Sequence, residues 1–65
     1  MLPQRVLERF TEIFPDYKVK SYKEVRQAKN AIRIRLEDDS VLFFAWRPDK
    51  SQEGWILSTH LEGIV

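Results

Sequence analysis

Two apolar segments separated by a short acidic stretch constrain this chain more than any other feature. The first, residues 31–37, is apolar on one side and basic on the other, with Ile32, Ile34 and Leu36 alternating with Arg33 and Arg35. This period of two is typical of a strand with one buried face. The second, residues 41–46, is apolar at every position, which indicates a strand covered at least partly on both faces. The polar residues 37–40 supply the turn, so we predict an antiparallel hairpin.

A hairpin with an apolar face needs a cover, and the N-terminal residues can supply one. Their apolar side chains recur at spacings of three and four, as on one face of a helix. The stripe comprises Leu2, Val6, Leu7, Phe10, Ile13 and Phe14. Pro3 suits the first turn, where its missing N–H costs nothing, and Pro15 ends the helix at about Phe14.

Residues 18–29 allow two interpretations. Tyr17, Val19, Ser21 and Val25 alternate with polar residues, which favours a half-exposed strand. Alternatively, residues 21–24 match a helix capping box and residues 23–29 are good helix formers. We favour the strand, because the following residues look like the second half of a hairpin.

Residues 55–61 alternate again and predict the last strand, at an edge of the sheet. We therefore expect a single small α+β domain over residues 1–65. Its N-terminal amphipathic helix packs on one face of a three- to four-stranded antiparallel β-meander. The chain has 65 residues and no cysteine, so no disulfide can add to its stability.

The length of the turn at residues 37–40 decides which side of the central strand faces the helix. A three-residue turn pairs Ile34 with Leu42 and leaves Phe43 beside the arginines on the other face. A two-residue turn pairs Ile34 with Phe43 instead and leaves Phe44 beside them. We favour the three-residue turn because it buries the larger apolar set. In both cases one helix covers one face, and we expect the arginines and a phenylalanine to share an open face.

Positive charge is concentrated near that face. The net charge of the chain is only +1, yet residues 18–35 contain seven cations and one acid. We predict a binding surface formed by Lys18, Lys20, Lys23, Arg26, Lys29, Arg33, Arg35 and Phe43. Such a surface suits an acidic protein partner, and the alternative is single-stranded DNA or RNA, whose bases would stack on the ring. We also consider a homodimer formed through an edge strand or through the apolar C-terminal tail.

Catalytic and metal-binding patterns are weak by comparison. His60 is the only histidine, and we place it in the last strand beside Ser58 and Glu62, as an ordinary surface residue. The acids of residues 37–39 are typical of a turn and lack the spacing of a calcium loop. We expect a non-enzymatic protein with no cofactor and no metal.

The longest apolar run, residues 41–46, is far shorter than a membrane span. We therefore expect a cytoplasmic protein without membrane contact. By association alone, compact chains of this size suggest an accessory protein of a phage or a bacterium.

Overall fold

One helix lies on one face of a four-stranded antiparallel sheet, as the computed structural model shows for all of residues 1–65. The elements follow one another as α1 Pro3–Ile13, β1 Val19–Glu24, β2 Ala31–Leu36, β3 Val41–Trp46 and β4 Trp55–Ser58, with a single 3₁₀ turn at Leu61–Gly63. The strands are ordered β1-β2-β3-β4, so every connection joins neighbours. The predicted α+β class is confirmed, and the meander has four strands.

Helix α1 begins with Pro3 at its first position and ends where predicted, with the Phe14 N–H bonded to the Phe10 carbonyl at 2.8 Å. Val6 and Phe10 are fully buried against the sheet. The predicted stripe is wider than the buried one, however. Leu2 is 69% exposed and Ile13 38% exposed, because they lie at the two ends of a short helix whose middle covers the sheet.

The hairpin between β2 and β3 has the predicted three-residue turn, and the two-residue alternative is wrong. Ile32 lies opposite Phe44 and Ile34 opposite Leu42. The Leu36 N–H bonds to the Ser40 carbonyl at 2.9 Å, and Asp39 adopts a left-handed φ of 69°. This register places the larger apolar set under the helix. That core comprises Val6, Phe10, Ile32, Ile34, Leu36, Leu42 and Phe44.

Residues 19–24 form strand β1, so the predicted strand is confirmed and the helix alternative is wrong. β1 pairs with β2 along its length, with an irregularity between Val19 and Ser21. A turn over residues 25–30 closes this hairpin, with the Val25 N–H bonded to the Ala31 carbonyl at 3.0 Å and Asn30 at a φ of 54°. Strand pairing satisfies one whole side of the β1 backbone and outweighs the local helix propensity of residues 23–29.

The last strand is shorter than predicted, and the end of the chain folds back over the sheet. β4 does lie at an edge, but it ends at Ser58, three residues before the predicted boundary. The Ser58 hydroxyl accepts the His60 N–H at 3.1 Å and donates to the His60 carbonyl at 2.9 Å, which turns the chain. Ile64 then becomes fully buried on the face opposite the helix. The second face is therefore only partly open, contrary to the expectation that a single helix leaves it uncovered.

Ile64 completes a second apolar cluster on that face. Its buried members are Val25, Ala28, Ala31, Ala45 and Ile64, with Phe43, Ile56 and Leu61 packed at its border. The four small or short side chains leave room for the tail to lie close to the sheet. The part of the face that stays open is the region around β1 and β2.

Candidate binding surface

Three cations share the open part of the second face: Lys23, Arg33 and Arg35, here called the basic strip. All three are exposed. Lys23 of β1 lies directly opposite Arg33 of β2, and Ser21 lies opposite Arg35. Residues opposite one another in an antiparallel pair point to the same face, with Cβ atoms about 4.5–5.5 Å apart. The register therefore places two like charges side by side.

The basic strip is only partly neutralised by nearby acids. The Asp39 carboxylate lies 3.8 Å from the Arg35 Nε and 3.5 Å from the Lys20 Nζ. Lys23 and Arg33 form no ion pair, since the remaining ion pairs join other residues. Two neighbouring cations on a flat, exposed sheet surface are thus left without a carboxylate partner.

Phe43 lies beside the basic strip, but its ring is not fully exposed. It is opposite Arg33 in the β2–β3 pairing, on the predicted face. It is half-buried, however, because it packs at the border of the cluster that Ile64 completes. The C-terminal tail, which sequence reasoning left as a free apolar end, reduces the exposed area of this ring.

The other predicted cations lie elsewhere. Lys18 precedes β1 and lines a groove near the β2–β3 turn. Arg26 and Lys29 lie in the β1–β2 turn, where they line a cleft of about 380 Å³ beside the start of α1. Of the eight residues predicted as one surface, the structure brings together Lys23, Arg33 and Arg35, with Lys20 and Phe43 at the border.

An arginine that sequence reasoning missed holds the tail against the sheet. The Arg47 Nη1 donates to the Ile64 carbonyl at 2.8 Å. Its Nε and Nη2 donate to the two carboxylate oxygens of Asp49 at 3.1 and 3.0 Å, so the guanidinium is held in a bidentate pair. The Arg47 side chain is only 18% exposed. The i,i+2 spacing of Arg47 and Asp49 was visible in the sequence, but its contact with Ile64 depends on the folded tail.

We expect acid to weaken this tail contact. The hydrogen bond from Arg47 lowers the pKa of Asp49 below its ordinary value of 3.8, and the same bond raises the pKa of Arg47. A carboxyl whose pKa is lower in the folded protein stabilises it fully above the ordinary value. That stabilisation is lost as the pH falls through the lower, folded value. The urea midpoint of the wild type should therefore fall on acidification below about pH 4, and that of Asp49→Asn should fall less.

The control for this measurement is Glu8→Gln, which removes an exposed carboxylate that forms no ion pair. It should keep the acid dependence of the wild type. Part of that dependence remains in Asp49→Asn as well, because the Ser40 N–H bonds to the Asp38 carboxylate at 3.0 Å and lowers the pKa of Asp38. An acid dependence of Asp49→Asn as steep as that of the wild type would contradict the prediction.

The structure also changes the setting of the only histidine. His60 is exposed and precedes the 3₁₀ turn, so its predicted place in the last strand is wrong. The Ser58 hydroxyl is engaged by the backbone of His60 and not by its imidazole. No group of three histidine or acidic side chains converges as a metal site would require.

Neither α1 nor the 3₁₀ turn is long and apolar enough to cross a membrane. No protein-family model matches the chain, and no curated protein or solved structure matches it either. A functional conclusion therefore rests on the surfaces of the fold.

Proposed function

We propose that this protein is a non-enzymatic binding module whose basic strip contacts an acidic surface of a protein partner. The observation that supports this most directly is the cross-strand pair of Lys23 and Arg33. Neither cation forms an ion pair with a carboxylate of the chain. Like charges directly opposite one another destabilise a sheet. In a domain this small even a modest cost matters, because the total stability is low. A carboxylate from a partner would offset it.

The chemistry of the strip suits carboxylates. A guanidinium presents a planar fork that matches a carboxylate with two parallel hydrogen bonds. Arg33 and Arg35 point from the same face of β2, two residues apart, so the bases of their side chains are separated by about 7 Å along the strand. Acidic side chains at alternate positions of an extended partner segment would meet both.

Single-stranded nucleic acid is the second candidate, and the position of Phe43 next to Arg33 favours it. Two observations favour the protein partner over it. Stacking of bases needs an exposed ring face, and Phe43 is half-buried because it packs against the apolar cluster that contains Ile64. Non-specific binding of nucleic acid also draws on many cations, whereas the strip contains three and the chain has a net charge of +1.

Two probes compared by amide chemical shifts test the proposal: a polyglutamate peptide and an oligothymidylate, each at low salt. We expect the peptide to shift the amides of Ser21, Lys23, Arg33 and Arg35. The double variant Arg33→Glu with Arg35→Glu should bind it at least about tenfold more weakly, because two attractive contacts become repulsive. Its melting temperature should change little. A glutamate at position 33 lies opposite Lys23 and removes the like-charge pair, which offsets the loss of the exposed ion pair between Arg35 and Asp39.

The matched control reverses two exposed cations of the same hairpin that lie outside the strip, Arg26→Glu with Lys29→Glu. It changes the net charge by the same amount and should keep peptide binding close to that of the wild type. Equal loss in both double variants would show that only net charge matters and would overturn the assignment to the strip. Shifts at the same amides with the oligothymidylate alone would replace the protein partner by the second candidate. No shift with either probe would overturn both.

A further inference from the structure

Strand β4 has one unpaired edge, and its free backbone groups can be assigned. The Gly54 carbonyl accepts the Arg47 N–H, so Gly54 faces β3. Backbone groups alternate in direction along a strand, and therefore Ile56 and Ser58 also face β3 while Trp55 and Leu57 face outward. No turn or loop hydrogen bond involves the backbone of Trp55 or Leu57. Two N–H groups and two carbonyls thus remain available at the edge.

The two edges of the sheet differ in how they are protected. The β1 edge contains Lys20 and Lys23 and an irregularity between Val19 and Ser21. Charged side chains and irregular pairing are common means by which proteins prevent edge-to-edge association. Strand β4 has the sequence Trp55-Ile56-Leu57-Ser58, with no charge, no proline and no irregularity in its pairing. The β4 edge is therefore the less protected of the two.

An apolar cleft of about 390 Å³ runs between that edge and the helix. Its lining comprises Arg9, Ile13, Phe14, Phe44, Glu53, Trp55 and Leu57. Ile13, which helix packing alone leaves 38% exposed, lies at its rim. Arg9 and Glu53 complete the lining; the Arg9 Nη1 donates to the Glu12 carboxylate at 2.9 Å, and Glu53 forms no ion pair within the chain.

We propose that a second copy of this chain occupies the β4 edge, with the two β4 strands antiparallel about a two-fold axis through Ile56. Residues opposite one another must point to the same face, so this register places Trp55 of one copy opposite Leu57 of the other. Each of the two symmetric pairs exchanges two backbone hydrogen bonds, which uses all four free groups on each strand. The result is a continuous eight-stranded sheet with both helices on one side.

The charges of the cleft favour a second copy as the occupant. In a two-fold interface the same patch occurs on both sides, so each residue of the cleft approaches the cleft of the other copy. Arg9 keeps free guanidinium N–H donors beside its bond to Glu12, and Glu53 has no partner, so Arg9 of one copy can pair with Glu53 of the other. An acidic or basic foreign segment would meet one like charge. The exposed side chain of Ile13 is buried when the two clefts join.

Sedimentation measured over a wide range of protein concentration tests this proposal. We expect the wild type to shift from monomer to dimer as concentration rises. Ile13→Glu should weaken the dimer by at least about tenfold, because the interface then buries two new carboxylates. The matched control is Leu2→Glu, an equal change at the other exposed end of the same helix and outside the cleft, which should dimerise like the wild type.

Charge reversal and hydrogen exchange distinguish loss of the dimer interface from loss of the fold. Arg9→Glu should weaken the dimer, and adding Glu53→Arg should restore it, because the two positions again carry opposite charges. The Trp55 and Leu57 amides should become protected from exchange only at concentrations at which the dimer forms, while the Ile56 amide is protected throughout.

A monomer at all concentrations would overturn the proposal. So would a dimer that Ile13→Glu leaves intact, or one in which the Trp55 and Leu57 amides exchange freely. This test does not depend on the basic strip, since Arg33→Glu with Arg35→Glu should leave dimerisation unchanged.

Discussion

Replacing Phe10 with alanine is expected to leave the protein largely unfolded at room temperature. The Phe10 side chain is fully buried, with its ring centroid 5.3 Å from that of Phe44 and 5.4 Å from that of Phe14. Truncation of a buried phenylalanine costs about 3–5 kcal/mol through lost burial and the cavity that remains. A domain of this size has a total stability of about 3–5 kcal/mol, so the change removes most of it. Urea denaturation followed by tryptophan fluorescence or circular dichroism measures the loss.

The control for Phe10→Ala is Ile13→Ala in the next turn of the same helix. Both residues belong to the stripe predicted from the sequence, but Ile13 is 38% exposed. Its truncation at low protein concentration should cost less than about 1 kcal/mol. Equal destabilisation by the two variants would contradict the burial of Phe10 and the exposure of Ile13 in the packing of α1 on the sheet.

Gly54→Ala is expected to be nearly as damaging, although it removes no contact. Gly54 is buried and has a φ of 88°, a conformation that residues with a side chain rarely adopt. A Cβ there would overlap the six-membered ring of Trp46. The backbone conformation alone costs about 1–3 kcal/mol, and relief of the overlap requires the indole or the loop to move.

Movement of the Trp46 ring would also disturb the packing of the neighbouring aromatic rings. The Trp46 and Trp55 ring centroids are 4.8 Å apart, and Trp55 stacks on Phe44 with 4.9 Å between centroids. We therefore expect a lower urea midpoint together with a changed tryptophan emission in the native state. Gln52→Ala, at an exposed position in the same loop, is the control and should behave like the wild type. A Gly54→Ala protein with native emission and wild-type stability would contradict the position of the Trp46 ring.

Several features of the fold follow from local patterns alone. The period of two in residues 31–37 and the apolar run in residues 41–46 predicted β2 and β3 closely. The stripe between Pro3 and Pro15 predicted the helix to within a residue. The turn register was also predictable, because only one of the two turn lengths places Leu42 and Phe44 under the helix together. These signals depend on side-chain period and backbone restriction, which are properties of short segments.

The end of β4 and the course of the tail were not predictable in this way. The alternation of residues 55–61 continues past Ser58, so period alone favours a longer strand. The strand ends where the Ser58 hydroxyl bonds to the backbone of His60 and the chain turns onto the second face. Ile64 can be buried there only because distant small residues, Ala31 and Ala45, leave space beneath it. No pattern within a short segment of the sequence indicates the space beneath Ile64.

The candidate surface, too, was predictable in part from the sequence and in part depends on the tertiary structure. The concentration of cations in residues 18–35 and the position of Arg33 and Arg35 opposite the core face were properties of the sequence by itself. Tertiary structure decided which cations meet, because strand pairing places Lys23 beside Arg33 while the turn takes Arg26 and Lys29 to another cleft. It also decided that the face is half covered, since the tail packs on it and Arg47 holds it there. Sequence period determines which face a residue takes, whereas contacts between segments far apart in the chain determine what else lies on that face.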